Sequence, residues 1–292
     1  MLLSIITLNY KKPELTLRCL DSLHQQFEKE FQSAEMEVIV VDNDSQDDSV
    51  EKMGIAVAKK KYLRIRILAS GKNGGFGKGN NFGAKHAKGD FFVFLNNDTV
   101  VEDRGLLDMA QYMKTHQEVA LLGGQLTNPD GSLQASTGKF YTLFYVFLLL
   151  LGFQKFGLLD NSPKKISRVD WVKGGLLMIR RDAFEKLKGF DERIFMYTED
   201  MELCYRAKKE GLSVWFYPDI KVTHAEHGSG NRAFAIKYIY QGLLYFYKKH
   251  KSELEYHILK IMLIAKAKIA IAVGFLTGKQ ELVKTYQDAI KF

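Results

Sequence analysis

Three largely apolar runs, Leu2 to Leu8, Met36 to Val41 and Phe91 to Leu95, each stop abruptly at polar side chains, and helix-patterned segments lie between them. Strands buried on both faces read as near-continuous apolar runs rather than as strict alternation. Strands that alternate with helices predict a parallel sheet covered on both sides. Pro13 suits a first helical turn, and Leu15, Leu17, Leu20 and Leu23 carry the apolar face of that helix. Val50 to Lys61 reads as a second helix and Ile65 to Ala69 as a short strand. A glycine-rich stretch, Gly71 to Gly83, reads as a loop leading into a helix near Phe82 to Lys88. Leu106 to Lys114 is patterned as a helix and Val119 to Gly123 as a strand.

Beyond about Gly124 the pattern changes. Asn128-Pro129-Asp130-Gly131 predicts a turn between hairpin strands. Phe140 to Phe153 is uncharged, strongly apolar and too short to span a bilayer, so it reads either as a buried helix or as a membrane-facing patch. Trp171 to Ile179 reads as a strand with Gly174-Gly175 inside it, where glycine marks close approach by another group. Asp182 suits a helix cap, Glu199 to Lys209 a longer helix, and Leu212 to Tyr217 a strand ending at Pro218. From Ala235 the chain turns helical and basic, and its apolar stretch Ile258 to Phe275 carries Lys260, Lys266 and Lys268. That pattern fits a helix lying on a membrane surface, capping the core or making a dimer contact.

With 292 residues, one large domain plus an extension is expected. The formal charge of +8 points to an anionic partner without choosing one, and no nucleic-acid motif accompanies it. The only cysteines, Cys19 and Cys204, are far apart, which excludes a disulfide framework or cysteine zinc site and fits a reducing compartment. The start lacks the basic region of a signal peptide, and no segment offers the apolar length of a membrane span.

Four constellations can carry chemistry. Val40-Val41-Asp42-Asn43-Asp44-Ser45 ends a strand in a carboxylate, which serves either an Asx turn or a nucleotide's ribose or base. Gly71 to Asn81 fails as a Walker loop because Gly79 follows Lys78, and it fails as a dinucleotide fingerprint by glycine spacing. Its glycines can still free backbone amides for a ligand, or simply make a flexible loop. Asn96-Asn97-Asp98 ends the Phe91 strand in a turn or in a ligand for a hard cation. Tyr197 to Glu202, followed by His224 and His227, supplies either dipole-favoured helix caps or a general base and an imidazole metal ligand.

Taken in order, these motifs resemble the family 2 inverting glycosyltransferases of GT-A fold, in their bacterial rhamnosyltransferase-like branch, from Leu3 to about Ser229. Ser4 to Tyr10 resembles the opening strand and nucleotide pocket, and Val40 to Ser45 the nucleotide-binding acidic strand end. Asn73-Gly74-Gly75-Phe76-Gly77 with Asn80 is similar to the asparagine–glycine loop, and Leu95-Asn96-Asn97-Asp98 to that branch's D-x-D motif. Trp171-Val172-Lys173-Gly174-Gly175 resembles the acceptor-side strand. Phe190-Asp191-Glu192 through Glu199-Asp200 and Leu203-Cys204-Tyr205-Arg206 resembles the catalytic-base region. The chain departs from the pattern at Asn96, where an amide replaces the first acid of D-x-D.

The resemblance implies a GT-A domain over 1–234, with a nucleotide-binding part to about 124 and an acceptor-binding part after it, then a helical, basic extension over 235–292. It implies a donor site of Thr7, Asn9, Asp42, Asn73, Gly74, Gly75, Lys78, Asn80, Asn97 and Asp98. Trp171, Gly174 and Gly175 would face the acceptor. Asp98 and His224 would hold Mg²⁺ or Mn²⁺, and Asp200, with Glu199 beside it, would act as base. The implied reaction moves a sugar, dTDP-rhamnose being one donor and a UDP-hexose another, to a glycan or polyprenyl-linked hydroxyl in cell-surface polysaccharide synthesis. An inactive nucleotide-sugar-binding scaffold is the alternative. The implied setting is cytoplasmic and peripheral to the inner face of the cell membrane, with a homodimer open and no nucleic-acid partner.

Overall fold

The computed structural model describes residues 3–153, 159, 162–225 and 232–291. His227 lies outside the described residues. The elements, in chain order, begin with β1 (Leu3–Asn9), α1 (Pro13–Gln32), β2 (Met36–Asp42), α2 (Ser49–Lys59), β3 (Ile65–Ala69), α3 (Gly75–His86) and β4 (Phe91–Leu95). They continue with β5 (Thr99–Val101), α4 (Gly105–Thr115), β6 (Val119–Thr127), β7 (Thr137–Gly138), α5 (Leu143–Leu150), β8 (Ser167–Arg168) and β9 (Trp171–Val172). The chain closes with β10 (Leu176–Arg180), α6 (Arg181–Lys186), α7 (Glu199–Lys209), β11 (Ser213–His224), α8 (Arg232–His250), α9 (Glu253–Leu276) and α10 (Gln280–Ala289).

The main sheet runs β3-β2-β1-β4-β10-β6-β11-β5, with β8 alongside β11. Its first four strands are parallel, and β10 enters antiparallel between β4 and β6. Successive strand residues feed opposite cores. Leu3, Ile5, Val93 and Leu95 pack with α1 and α4 on one face, while Ile6, Phe92 and Phe94 pack with α7, α8 and α9 on the other. This is the doubly covered, mainly parallel sheet that the apolar runs predicted.

Three local readings change. The glycine stretch is largely helical, because α3 begins at Gly75 rather than near Phe82. Gly174 and Gly175 sit between β9 and β10 rather than inside one strand. β11 continues through Pro218 to His224, with a register irregularity against β6 between Tyr217 and Val222 that accommodates the proline.

The C-terminal helices are continuous with the core. Tyr240, Leu243, Leu244, Phe246 and Tyr247 of α8 are buried with the α7 side chains. An ion cluster joins α8 to α7. Glu202, wholly buried, meets Arg206 Nε at 2.8 Å, Lys249 Nζ at 2.6 Å and His250 Nε2 at 2.9 Å. Lys249 also reaches Asp191 at 2.6 Å, as does the Tyr245 hydroxyl. Burial pushes the Glu202 carboxyl up, but His250, Arg206 and Lys249 together outweigh it and hold it below the ordinary range. A carboxylate depressed in the folded state contributes stability that is present at neutral pH and is lost as pH falls through the carboxylate range. Removing one member of a buried charge cluster leaves the others unpaired, so Glu202→Ala should cost about 3 kcal/mol or more in urea unfolding at neutral pH. The deficit should shrink as pH falls below the glutamate range. A variant as stable as wild type at pH 7 would show that the cluster is not holding α8 to α7.

Candidate functional site

The parallel strands β1, β2 and β4 end together at Asn9, Asp42 and Leu95, the edge where open α/β sheets bind ligands. Behind that edge runs a chain of hydrogen bonds. Asn9 Nδ2 donates to Asp42 Oδ2 at 2.7 Å, Thr16 Oγ1 donates to Asn9 Oδ1 at 2.9 Å, and Asn97 Nδ2 donates to Thr16 Oγ1 at 2.9 Å. Ser45 supplies its amide to Asp42 Oδ1 at 2.9 Å and its hydroxyl to Oδ2 at 2.6 Å. Asp42 and Asn9 are therefore buried, oriented groups that shape the 43–46 turn, and the turn in turn forms the rim. Thr7 lies fully buried beneath them, its hydroxyl without a hydrogen-bond partner.

The glycines of α3 have a packing role. A Cβ on Gly83 would lie 2.6 Å from an Ile6 methyl, and one on Gly75 only 2.0 Å from the Phe195 carbonyl oxygen. Without those Cβ atoms the helix can rest directly on β1 and on the segment that precedes α7. Phe76 N–H donates to that same Phe195 carbonyl at 2.9 Å. Asn73 Oδ1 accepts from Gly75 N–H and from Asn43 Nδ2, each at 3.1 Å. Gly74 has its backbone against the Lys78 stem, Lys78 pairs at the surface with Glu192 at 3.7 Å, and Asn80 is buried against the Phe76 carbonyl.

At the end of β4, His224 Nε2 approaches Asp98 Oδ1 at 3.2 Å and Asn96 Nδ2 at 3.1 Å. The register of β11 on β5 sets this up by pairing His224 with Thr99. Gln134 holds the other side of the ring, with Nδ1 and Oε1 2.9 Å apart, while its amide nitrogen donates to the His224 carbonyl at 2.9 Å. A ring whose Nδ1–H is taken by Gln134 turns the Nε2 lone pair toward Asp98, the arrangement that an imidazole metal ligand needs. Among the described residues no three His, Cys, Asp or Glu side chains converge as a metal cluster. A cation held by Asp98 and His224 would need its remaining ligands from substrate oxygens and water.

The turn between β9 and β10 joins this end of the sheet to α7. Asn96 N–H donates to the Gly175 carbonyl at 3.1 Å, and Gly174 N–H donates to Asp200 Oδ2 at 2.9 Å. Asp200 Oδ1 accepts from Met201 N–H at 2.7 Å. Glu199 is buried and its Oε2 accepts from Thr198 N–H at 2.9 Å. Burial, with the Asp200 carboxylate beside it, pushes Glu199 up to about 8, and burial pushes Asp200 up against the Gly174 and Met201 N–H groups, which lower it. Tyr197, just ahead of them, takes φ +82°, an uncommon region for a residue with a Cβ.

Trp171 is buried, donating its indole N–H to the Lys139 carbonyl at 3.0 Å and packing edge-on to Tyr141. Its ring belongs to the core there and offers no stacking face. Side chains that the sequence reading passed over support the site: Gln134 behind His224, Thr16 between Asn9 and Asn97, and Asn43 against Asn73. Asn81 accepts from Phe190 N–H at 2.8 Å and donates to the Phe190 carbonyl at 2.9 Å, which fastens α3 to the loop before α7.

The sequence profile described as "Glycosyl transferase family 2" matches residues 4–188. The chain belongs to that family. It is a glycosyltransferase, and the residues from β1 to α6 that build the sheet edge are the matched ones. A second profile, described as "N-terminal domain of galactosyltransferase", matches residues 161–228, which include Glu199, Asp200 and His224. The rhamnosyltransferase WbbL of Escherichia coli is 29% identical over 185 residues, covering 60% of this chain and 69% of that protein. The N-acetylglucosaminyl-diphospho-decaprenol L-rhamnosyltransferase of Mycobacterium tuberculosis is 27% identical over 213 residues, covering 66% of this chain and 68% of its own. Among solved structures, the mannosyltransferase PcManGT from Pyrobaculum calidifontis, in complex with GDP-Man and Mn²⁺, superposes with a TM-score of 0.61 at 17% identity. That match covers 98% of this chain and 73% of the other, and it shows the GT-A fold, as the motifs implied.

Gly75 combines a positive φ with the close approach to Phe195. Gly75→Ala should lower the melting temperature and loosen the start of α3, a cost of about 1–3 kcal/mol. A thermal melt unchanged from wild type would mean that α3 does not sit as closely on the Phe195 segment as described.

Proposed function

We propose that the chain transfers a sugar from a nucleoside diphosphate sugar to an acceptor hydroxyl with inversion at the anomeric carbon. The observation that carries this reading is the 173–175 turn, which places Asp200 one peptide group away from the strand end where Asp98 and His224 meet. An acid–imidazole pair suited to a diphosphate and an oriented carboxylate suited to a hydroxyl then share one edge of the sheet.

In this reading the rim formed by Asp42 and the 43–46 turn, with the Asn73–Gly75 segment opposite, receives the nucleotide. Asp98 and His224 would hold a divalent cation, whose contribution is to offset negative charge on the departing diphosphate. The Asp98 oxygen suits Mn²⁺ or Mg²⁺, and the His224 nitrogen favours Mn²⁺ of the two. Asp200, fixed by two backbone N–H groups, accepts the proton of the acceptor hydroxyl as its oxygen attacks the anomeric carbon. The bond from that carbon to the phosphate oxygen breaks, and the nucleoside diphosphate leaves. One displacement needs one base and no protein nucleophile. Burial serves the base, since a carboxylate with a raised pKa is a stronger proton acceptor at neutral pH.

The rhamnosyltransferase relatives favour a rhamnosyl donor, for which we take dTDP-rhamnose ahead of a UDP-hexose, and the decaprenol named for the mycobacterial relative favours a polyprenyl-linked acceptor. With such an acceptor the protein would work at the cytoplasmic face of the cell membrane. No described helix is long and apolar enough to cross a membrane. Asn96, in place of an acid, is the feature that favours an inactive nucleotide-sugar-binding scaffold instead, and turnover separates the two readings.

Nucleoside diphosphate release should be measured across a donor panel with divalent ions present. Asp200→Asn should lower kcat by about 10²- to 10⁴-fold, the usual contribution of general base catalysis, with donor binding retained. Wild-type turnover in that variant would remove Asp200 from the role. The acid limb of the rate profile should lie above the ordinary aspartate range, since the base works only when deprotonated. Glu199→Gln should leave that limb near its wild-type pH, since Glu199 is pushed up to about 8 and is protonated while Asp200 ionises. Gln134→Ala should weaken activation by Mn²⁺ roughly 10- to 100-fold, as loss of an outer hydrogen bond to a ligand does. Activity that persists in a strong chelator would refute the cation assignment.

A further inference from the structure

α9 is apolar on two opposite sides. Leu259, Leu263, Ala267 and Gly274 face the core. Leu254, Ile258, Ile261, Ala265, Ile269 and Val273 recur every three or four residues along the other side, with Leu276 next, and all are exposed. Leu276 is 87% exposed and Leu254 70%. α5 packs beside α9 and carries a second exposed stripe in Phe144, Phe147 and Leu151, with Phe144 72% exposed. A soluble surface rarely leaves contiguous apolar helix faces open without a partner.

The charges beside these stripes select the partner. At the open end of α5, a cavity of about 610 Å³ is walled by Phe140, Tyr145 and Tyr205 and ringed by Lys139, Lys208, Lys209 and Lys251. Lys208 lies 5.0 Å from the Phe140 ring centre, and Lys209 and Lys251 each lie 5.2 Å from that of Tyr205. Among the described residues of the wall Asp170 is the one acid, 3.5 Å from Lys208. On α9, Lys266 and Lys268 border the stripe, while Glu253 is paired with His257 at 3.0 Å and Glu255 is used in the helix cap. Aromatic and aliphatic side chains flanked by lysines match the boundary between headgroups and acyl chains. A second copy of the chain fits poorly, because a two-fold interface on this face would bring the cationic flank against its own image.

We propose that α5 and α9 form a membrane-docking face, with the lysine-ringed cavity walled by Phe140, Tyr145 and Tyr205 taking the phosphate of an anionic phospholipid. The face deepens the membrane setting given above, and it stands or falls separately from sugar transfer. It also extends that setting beyond the C-terminal helices, since α5 and the end of α7 contribute.

The test uses the full chain with vesicles of phosphatidylcholine alone or mixed with phosphatidylglycerol. Wild type should sediment with the mixed vesicles and remain free with the neutral ones. Lys208→Glu with Lys209→Glu should reduce partitioning roughly tenfold or more, since each cation near an anionic surface contributes substantially. Lys59→Glu with Lys114→Glu, the same change in net charge on α2 and α4, should leave binding near wild type. Phe144→Asp with Ile261→Asp should abolish binding without changing nucleoside diphosphate release during sugar transfer to a water-soluble acceptor. Three results would overturn the proposal: equal loss in both lysine pairs, binding that survives the apolar-to-acid change, or a dimer in light scattering that Phe144→Asp with Ile261→Asp dissociates. Inorganic phosphate at millimolar level should not displace the protein from vesicles, and displacement would reduce the cavity to a free-phosphate site.

Discussion

Two successive glycines hold the two halves of this molecule's chemistry together. Gly175 accepts from the backbone of Asn96, and Gly174 donates to the carboxylate of Asp200. The first bond fixes the turn to the end of β4, and the second fixes a carboxylate to the turn. Side chains at either position would crowd what they join. A Cβ on Gly175 would lie 2.9 Å from Leu126, and one on Gly174 would lie 3.3 Å from the Phe76 ring and 3.5 Å from Asp200 itself. The spacing between the acid–imidazole pair and the oriented carboxylate is therefore set by backbone, which cannot swing away as a long side chain can.

Everything else at the sheet edge serves that spacing. α3 must lie low on β1 for Phe76 to reach the Phe195 carbonyl and the Gly174 turn, and glycines on its inner face allow it. Asn81 and Asn43 then lock its two sides, one to the loop before α7 and one to the end of β2. The polar cost of burying these amides is met because each finds both donors and acceptors nearby. The same logic explains Asp42 and Asn9. They are bonded to each other and to Ser45, which fixes the 43–46 turn beside them.

Much of this was legible in the chain. The apolar runs gave the parallel half of the sheet, because a strand covered on both faces has no other composition available. Asp98, Asp200 and His224 were legible as strand-end or helix-start polar groups in an order shared with a known family. What escaped was non-local. Gln134 stands 90 residues before His224, and only the return of β11 beside β5 and β6 brings them together. Asn81 meets Phe190 across a similar separation. The glycine stretch misled because free backbone and close packing demand the same residue, and only the position of Ile6 and Phe195 distinguishes them. Trp171 misled for a related reason: an indole can stack on a sugar or fill a core, and its neighbours Gly138 and Tyr141 decide for the core.

The C-terminal helices raise a different physical question, which is why a helix should be apolar on both sides. For α8 the answer is burial, secured by the Glu202–Lys249–Asp191 cluster at its end. That cluster demands three or more charges under low dielectric, and it is tolerable because each carboxylate has several cationic or hydroxyl partners. Among the described residues α9 has no such second neighbour on its outer side. Its inner residues hold it to α8, α5 and α10, so the outer leucines and isoleucines make no use of those contacts. Residues that the fold does not use, arranged with helical period beside a lysine-lined aromatic cavity, are accounted for by a surface that is itself apolar beneath and anionic above.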